Sequence, residues 1–242
     1  MYPVMSTDMF SIVAKGAKYL NIDLPPTAEA AFEAYYDFLE KRGQVVNLTA
    51  ISGAQEIARL HFLDSIALLC SMDFMNKRII DIGSGAGFPG IPLKIAEPSI
   101  DVTVLDATGK RIGFISELCS LLQIDASFIL ARAEDAAHEP DKREQYDISV
   151  SRAVARLNVL CELCLPFVKV GGYFIAMKSV DSGEEIIEAQ KAIFTMNSKI
   201  DSFYDYEIPG TNIKHRAVLI YKEAATPEKY PRRFSRIQKN PL

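Results

Sequence analysis

Long apolar runs are missing from this 242-residue chain. None approaches the roughly 20 residues needed to cross a bilayer. The opening MYPVMSTDMF lacks the basic-then-apolar pattern of a secretory leader. Cysteine is scarce: Cys70, Cys119, Cys161 and Cys164 are too few and too scattered for a disulfide scaffold in a chain this long. Histidine is scarcer, and His61, His138 and His215 have no metal-ligand spacing. Cys161-x-x-Cys164 has no second cysteine pair to complete a zinc site. In VLCELCLPFV both cysteines instead fall at helical core spacing, where cysteine acts as a small hydrophobe. Internal repeats and low-complexity segments are also lacking. These absences predict a soluble, cytoplasmic protein with no bound metal. The composition, 49% hydrophobic and 24% charged, suits one α/β domain with an extension.

Positive charge is in deficit, but unevenly. From Lys229 to Leu242 the chain carries Lys229, Arg232, Arg233, Arg236 and Lys239 and no acid. A net charge of −4 with +5 in this tail leaves −9 for residues 1–228. An acidic body with a basic tail predicts a local anion contact, against the plainer alternative of a solvated tail.

The first part reads as helical. Residues 27–42 follow Pro25-Pro26 and stop at Gly43, with Lys41 and Arg42 in the last turn. Ser52-x-x-Gln55 is a capping box opening a further helix through HFLDSIALL. Between them QVVNLTAIS has no helical period. From Arg78, short apolar runs (RIIDI, DVTVLD, SFILA, YDISVS, GYFIAMK) alternate with helical stretches (PLKIAE, KRIGFISELCSLLQ, RLNVLCELCLPFV), predicting a parallel sheet covered on both faces. After a helix near 183–194, SKIDSFYDYEI and HRAVLIYKE read as an antiparallel hairpin at one side of the sheet. The expected division is a helical extension over 1–70, a catalytic domain over 71–228 and a basic tail over 229–242.

A sheet of this kind places its ligand at the carboxyl ends of the strands. There IIDIGSGAGFPGIPL offers two glycine patterns. Gly85-x-Gly87-x-x-Gly90 is the phosphate-binding fingerprint of a dinucleotide enzyme. From Gly83, the same residues read G-x-G-x-G with Asp81 two residues upstream. A pyrophosphate needs free amides and a positive helix end. An acid at Asp81, and Pro89 and Pro92 without amide donors, therefore favour a ligand without phosphates. A cationic sulfonium with an ammonium group has the opposite need, and a nearby carboxylate helps it. Asp106 ends the next strand, where a ribose diol is gripped in these folds, and suits both readings. After the third strand, Arg132-Ala133-Glu134-Asp135 places a small residue and an acid where they can flank an adenine ring. The plainer alternative is a helix N-terminal acid pair.

DIGSGAGFPGIPL, VLDATGKR, RAED, SRAVARL and LPFVKVGGYFIAMK, in that order, resemble the bacterial RsmG (GidB) methyltransferases, as do NLTAI, RLHFLDS and the terminal YPRR…K-x-PL. The resemblance runs from about Asn47 to the end. It implies a class I, Rossmann-like methyltransferase sheet of seven strands, with S-adenosylmethionine as cofactor. It also implies methylation of guanine N7 in the decoding region of 16S ribosomal RNA. Apart from the resemblance, a monomer without membrane contact is expected. The family's cofactor contacts fall here on Gly83, Phe88, Ala133, Glu134 and Arg152, and Asp106 joins them by its place at a strand end. Two departures stand out: Ala107 where the family often has Ser, and Phe234-Ser235-Arg236-Ile237 where its tail usually has a Gly-x-Pro turn.

Guanine N7 carries an in-plane lone pair and no proton, so the implied transfer needs neither metal nor general base and rests on positioning. No catalytic residue is assigned. The candidates for the RNA side are Asn47, His61, Arg132, Arg156 and Lys178: cations for phosphates, Asn47 for a base edge. Each has a plain structural alternative as a turn, helix or strand-end residue. Two rivals stay open: an NAD-dependent oxidoreductase using the second glycine pattern, and a ribosome-binding factor without turnover.

Overall fold

The protein is seen in a computed structural model, and the residues described are 9–43 and 51–242. Seven strands form one sheet: β1 Arg78–Ile82, β2 Asp101–Asp106, β3 Ser127–Leu130, β4 Tyr146–Arg152, β5 Val168–Ser179, β6 Ser198–Glu207 and β7 Lys214–Lys222, in the order β3-β2-β1-β4-β5-β7-β6. Neighbours are parallel up to β5, and β7 lies antiparallel between β5 and β6. The order reverses between β1 and β4, so the crevice for a ligand opens above their carboxyl ends.

Successive residues of a strand face opposite sides, and the core divides accordingly. Ile79, Val102, Val104, Ile148 and Val150 face one way, onto α1 (Met9–Tyr19), α2 (Ala28–Phe38), α4 (Gly90–Ala96), α5 (Gly109–Leu122) and the helical stretch α3 over 54–70. Ile80, Ile82, Leu105, Phe174 and Val218 face the other way, onto α7 (Leu157–Cys164), α8 (Gly183–Thr195), the short α6 (Ala133–Ala136) and the terminal α9 (Phe234–Lys239). The N-terminal helices thus share a core with the sheet. Cys161 and Cys164 are buried free thiols, pushed up in pKa by that burial.

The capping box does not form. Helix α3 starts at Ala54 after Gly53, whose φ of 91° is open to glycine and whose amide approaches Glu40. Two helical segments also widen into π turns that periodicity does not signal, Leu39–Gly43 after α2 and Ala58–Leu63 within α3. No described helix is long and apolar enough to cross a membrane.

Candidate active site

The loop after β1 spends five of its amides on the protein itself. Gly83 donates to the Leu105 carbonyl at 2.8 Å, and Gly87 and Phe88 both donate to the Ser84 carbonyl at 2.9 Å. The Gly85 amide reaches Asp106 Oδ2 at 3.3 Å, and the Gly90 amide donates to Asp81 Oδ2 at 2.8 Å. The last contact explains Gly90: a Cβ there would sit 2.9 Å from the Asp81 carboxylate. Gly83 has φ +72°, and a Cβ on it would lie 2.6 Å from Val154. The glycines serve close packing and tight turning, and these five amides are taken.

Above this loop lies a cavity of about 560 Å³ bounded by the ends of β1 to β4. Gly83, Phe88, Asp106, Ala133, Glu134 and Arg152, the six residues predicted for the cofactor, all line it, and so do His61 and Arg132. Asp106 is nearly buried. Its Oδ1 accepts the Thr108 amide at 2.8 Å, and its Oδ2 faces Arg111 at 3.2 Å. Burial pushes the Glu134 carboxyl up in pKa, against the lowering pull of its own amide and that of Phe234. Ser84 Oγ is buried at the cavity wall with no hydrogen-bond partner among the described residues. A ligand with hydroxyls, an amino group and a cation fits this donor and acceptor set.

Asp81 departs from expectation. It is fully buried, does not line the cavity, and acts as an internal cap on α4. It cannot meet a ligand's charge directly.

The sequence model of the GidB family, described as rRNA small subunit methyltransferase G, matches residues 28–213. This chain belongs to that family. It is similar to the Ribosomal RNA small subunit methyltransferase G of Acetivibrio thermocellus, 44% identical over 232 residues, 96% of each chain. The protein of that name from Alkaliphilus oremlandii is 43% identical over 239 residues, covering 97% of this chain and 99% of the relative. Among solved structures, M. jannaschii TYW2 in complex with AdoMet shares the fold. Its TM-score is 0.51 at 15% identity, over 66% of this chain and 76% of that one.

In this GidB-family chain the predicted RNA-side residues part company. His61 is buried and stacked on Phe88, ring centroids 4.4 Å apart. Its Nδ1 lies 2.9 Å from Arg152. Since guanidinium only donates, this nitrogen is an acceptor already engaged. Burial, with Arg152 beside it, holds the His61 pKa down to about 3. Lys178 donates to the Ala155 carbonyl at 2.8 Å and to Glu185 at 2.6 Å, bracing the loop after β4. Arg156 forms an exposed ion pair with Glu188 and does not line the cavity. Arg132 is exposed at the rim. Asn47 lies outside the described residues.

Sequence reasoning missed the groups that hold Arg152 and the loop after β1 in place. Arg152 donates to the Leu60 carbonyl and to Asp64 Oδ2 at 2.9 Å, with its guanidinium 5.0 Å from the Phe88 ring centroid. Asp64 also meets Tyr206 Oη at 2.8 Å and His215 Nδ1 at 2.7 Å. Its pKa is lowered: burial alone would raise it, but the His215 hydrogen bond and Arg152 outweigh that. Tyr35, from α2, stacks on Phe88 at 5.3 Å and donates to the Ala86 carbonyl at 2.7 Å. The tail is the other addition. Arg232 makes paired hydrogen bonds to the buried Glu162, Arg143 donates to the Tyr230 and Thr226 carbonyls, and Phe234 lines the cavity.

Proposed function

We propose that this chain is an S-adenosylmethionine-dependent methyltransferase of the cytoplasm that modifies N7 of a guanine in the decoding region of 16S ribosomal RNA. The observation that carries the reading is the loop after β1, five of whose amides are taken by the protein itself while Asp106 and Glu134 line the cavity. A pyrophosphate would find few donors and two acids there, which argues against a dinucleotide. A nucleoside joined to a sulfonium amino acid finds acceptors for its hydroxyls and amino groups.

S-adenosylmethionine, when bound, supplies an activated methyl group on a cationic sulfur. Asp106 is assigned the ribose hydroxyls, Ala133 and Glu134 the adenine edge, and Gly83 and Phe88 the loop surface against the cofactor. Arg152 brings positive charge for a carboxylate and is held rigid by Asp64 and His61. Guanine N7 is a nucleophile without deprotonation, so the chain's work is in-line positioning and exclusion of water. The target base is presented unstacked.

The test is to map N7-methylguanine in 16S rRNA from cells with and without this gene, alongside titration of the pure protein with S-adenosylmethionine and NADH. Loss of one methylguanine on deletion and selective binding of S-adenosylmethionine are expected. Unchanged modification would sink the assignment, and preferential NADH binding would restore the dinucleotide reading.

A further inference from the structure

The docked tail consumes one cation and leaves four. Arg232 is bound by Glu162, while Tyr230, Pro231 and Ile237 are buried. Lys229, Arg233, Arg236 and Lys239 are exposed, and among the described residues none of them has a carboxylate within ion-pair distance. Their placement follows from Phe234. It lines the cavity between Arg233 and Arg236, and the Arg132 guanidinium stands 5.7 Å from its ring centroid. A body carrying −9 over residues 1–228 repels a polyanion, so RNA capture must be concentrated where cations stand free.

We propose that the docked C-terminal segment is the RNA-backbone contact of this protein, with Arg233, Arg236 and Lys239 meeting phosphates beside the target nucleotide at the cavity rim. The inference rests on the functional reading above and adds to it the surface that holds the substrate. The buried Glu162–Arg232 pair fixes the segment before RNA arrives, so little ordering entropy is lost on binding.

The test uses the full chain with Arg233→Gln, Arg236→Gln and Lys239→Gln combined. A charge-matched control combines Lys15→Gln, Lys18→Gln and Lys191→Gln, exposed residues on α1 and α8. Methyl transfer to unmodified small-subunit RNA is followed across salt concentrations, with S-adenosylmethionine affinity measured separately. The tail variant should raise the KM for RNA about tenfold or more and flatten the slope of log affinity against log salt by about 2. Its kcat at saturating RNA should stay within about threefold, and its cofactor affinity within about twofold, of the parent. The control should keep the parent's slope. An unchanged slope in the tail variant, or an equal loss in the control, would overturn the inference. So would a loss seen with assembled subunits and absent with naked RNA, which would point to a protein partner. A parent enzyme that methylates no small-subunit RNA would bring down the functional reading, and this inference with it.

Discussion

At Asp81, burial and a helix start pull against each other. The Gly90 amide favours the carboxylate, but desolvation wins and raises the pKa from 3.8 to about 7. Oδ1 has no partner among the described residues. A carboxyl raised in the folded state contributes stability that is fully present below its unfolded pKa and lost as pH rises through the folded value. Asp81→Asn keeps an acceptor for Gly90 and removes the titration. The stability of wild type relative to Asp81→Asn should therefore fall between about pH 4 and pH 7, by on the order of 2–4 kcal/mol. Urea denaturation across that range measures it, and parallel pH profiles would refute it. The sequence marked Asp81 as special but gave the wrong reason, because whether a strand-end acid faces ligand or protein depends on packing across the loop.

Helices α2 and α3 grip the loop after β1 through one stack, with the Phe88 ring contacting Tyr35, His61 and the Arg152 cation. Phe88→Ala should cost about 3 kcal/mol of stability and weaken S-adenosylmethionine binding by about tenfold or more. Tyr35→Phe keeps the stack and loses the bond to Ala86, a smaller cost of about 1 kcal/mol. Denaturant melts and cofactor titrations on the two variants should rank them in that order. Elements of this kind were legible in the sequence wherever periodicity and turn residues agree. Strands RIIDI and DVTVLD have the expected bounds, and helix 183–195 ends one residue later than read. The π turns and the missing cap were illegible because they answer to tertiary contacts such as Gly53 with Glu40. The cavity position of Asp106, Ala133 and Glu134 was legible because a strand end fixes their place, whereas Gly83, Phe88 and Arg152 came from the family resemblance; all six line the one cavity. The partners of His61 and Lys178 were not legible: His61 engages Arg152 from 91 residues away, and Lys178 reaches back 23 residues to the Ala155 carbonyl and forward seven to Glu185.

At the scale of the whole molecule, the tail is tied to the body by Glu162, which is fully buried and 70 residues from Arg232. Removing one partner of a buried pair leaves the other uncompensated. Glu162→Ala should cost about 3 kcal/mol and speed tryptic cleavage after Lys229, Arg233 and Arg236, read by limited proteolysis and mass spectrometry. An unchanged cleavage rate would mean that the buried Tyr230 and Ile237 hold the tail unaided.

The place of β7 carries a consequence for synthesis on the ribosome. Residues 214–222 are the last strand made, yet they insert between β5 and β6. Until they emerge, β5 and β6 have no common neighbour, and Phe234 cannot reach the cavity wall. A chain cut short by a premature stop before this point therefore leaves an open sheet edge that invites aggregation or degradation.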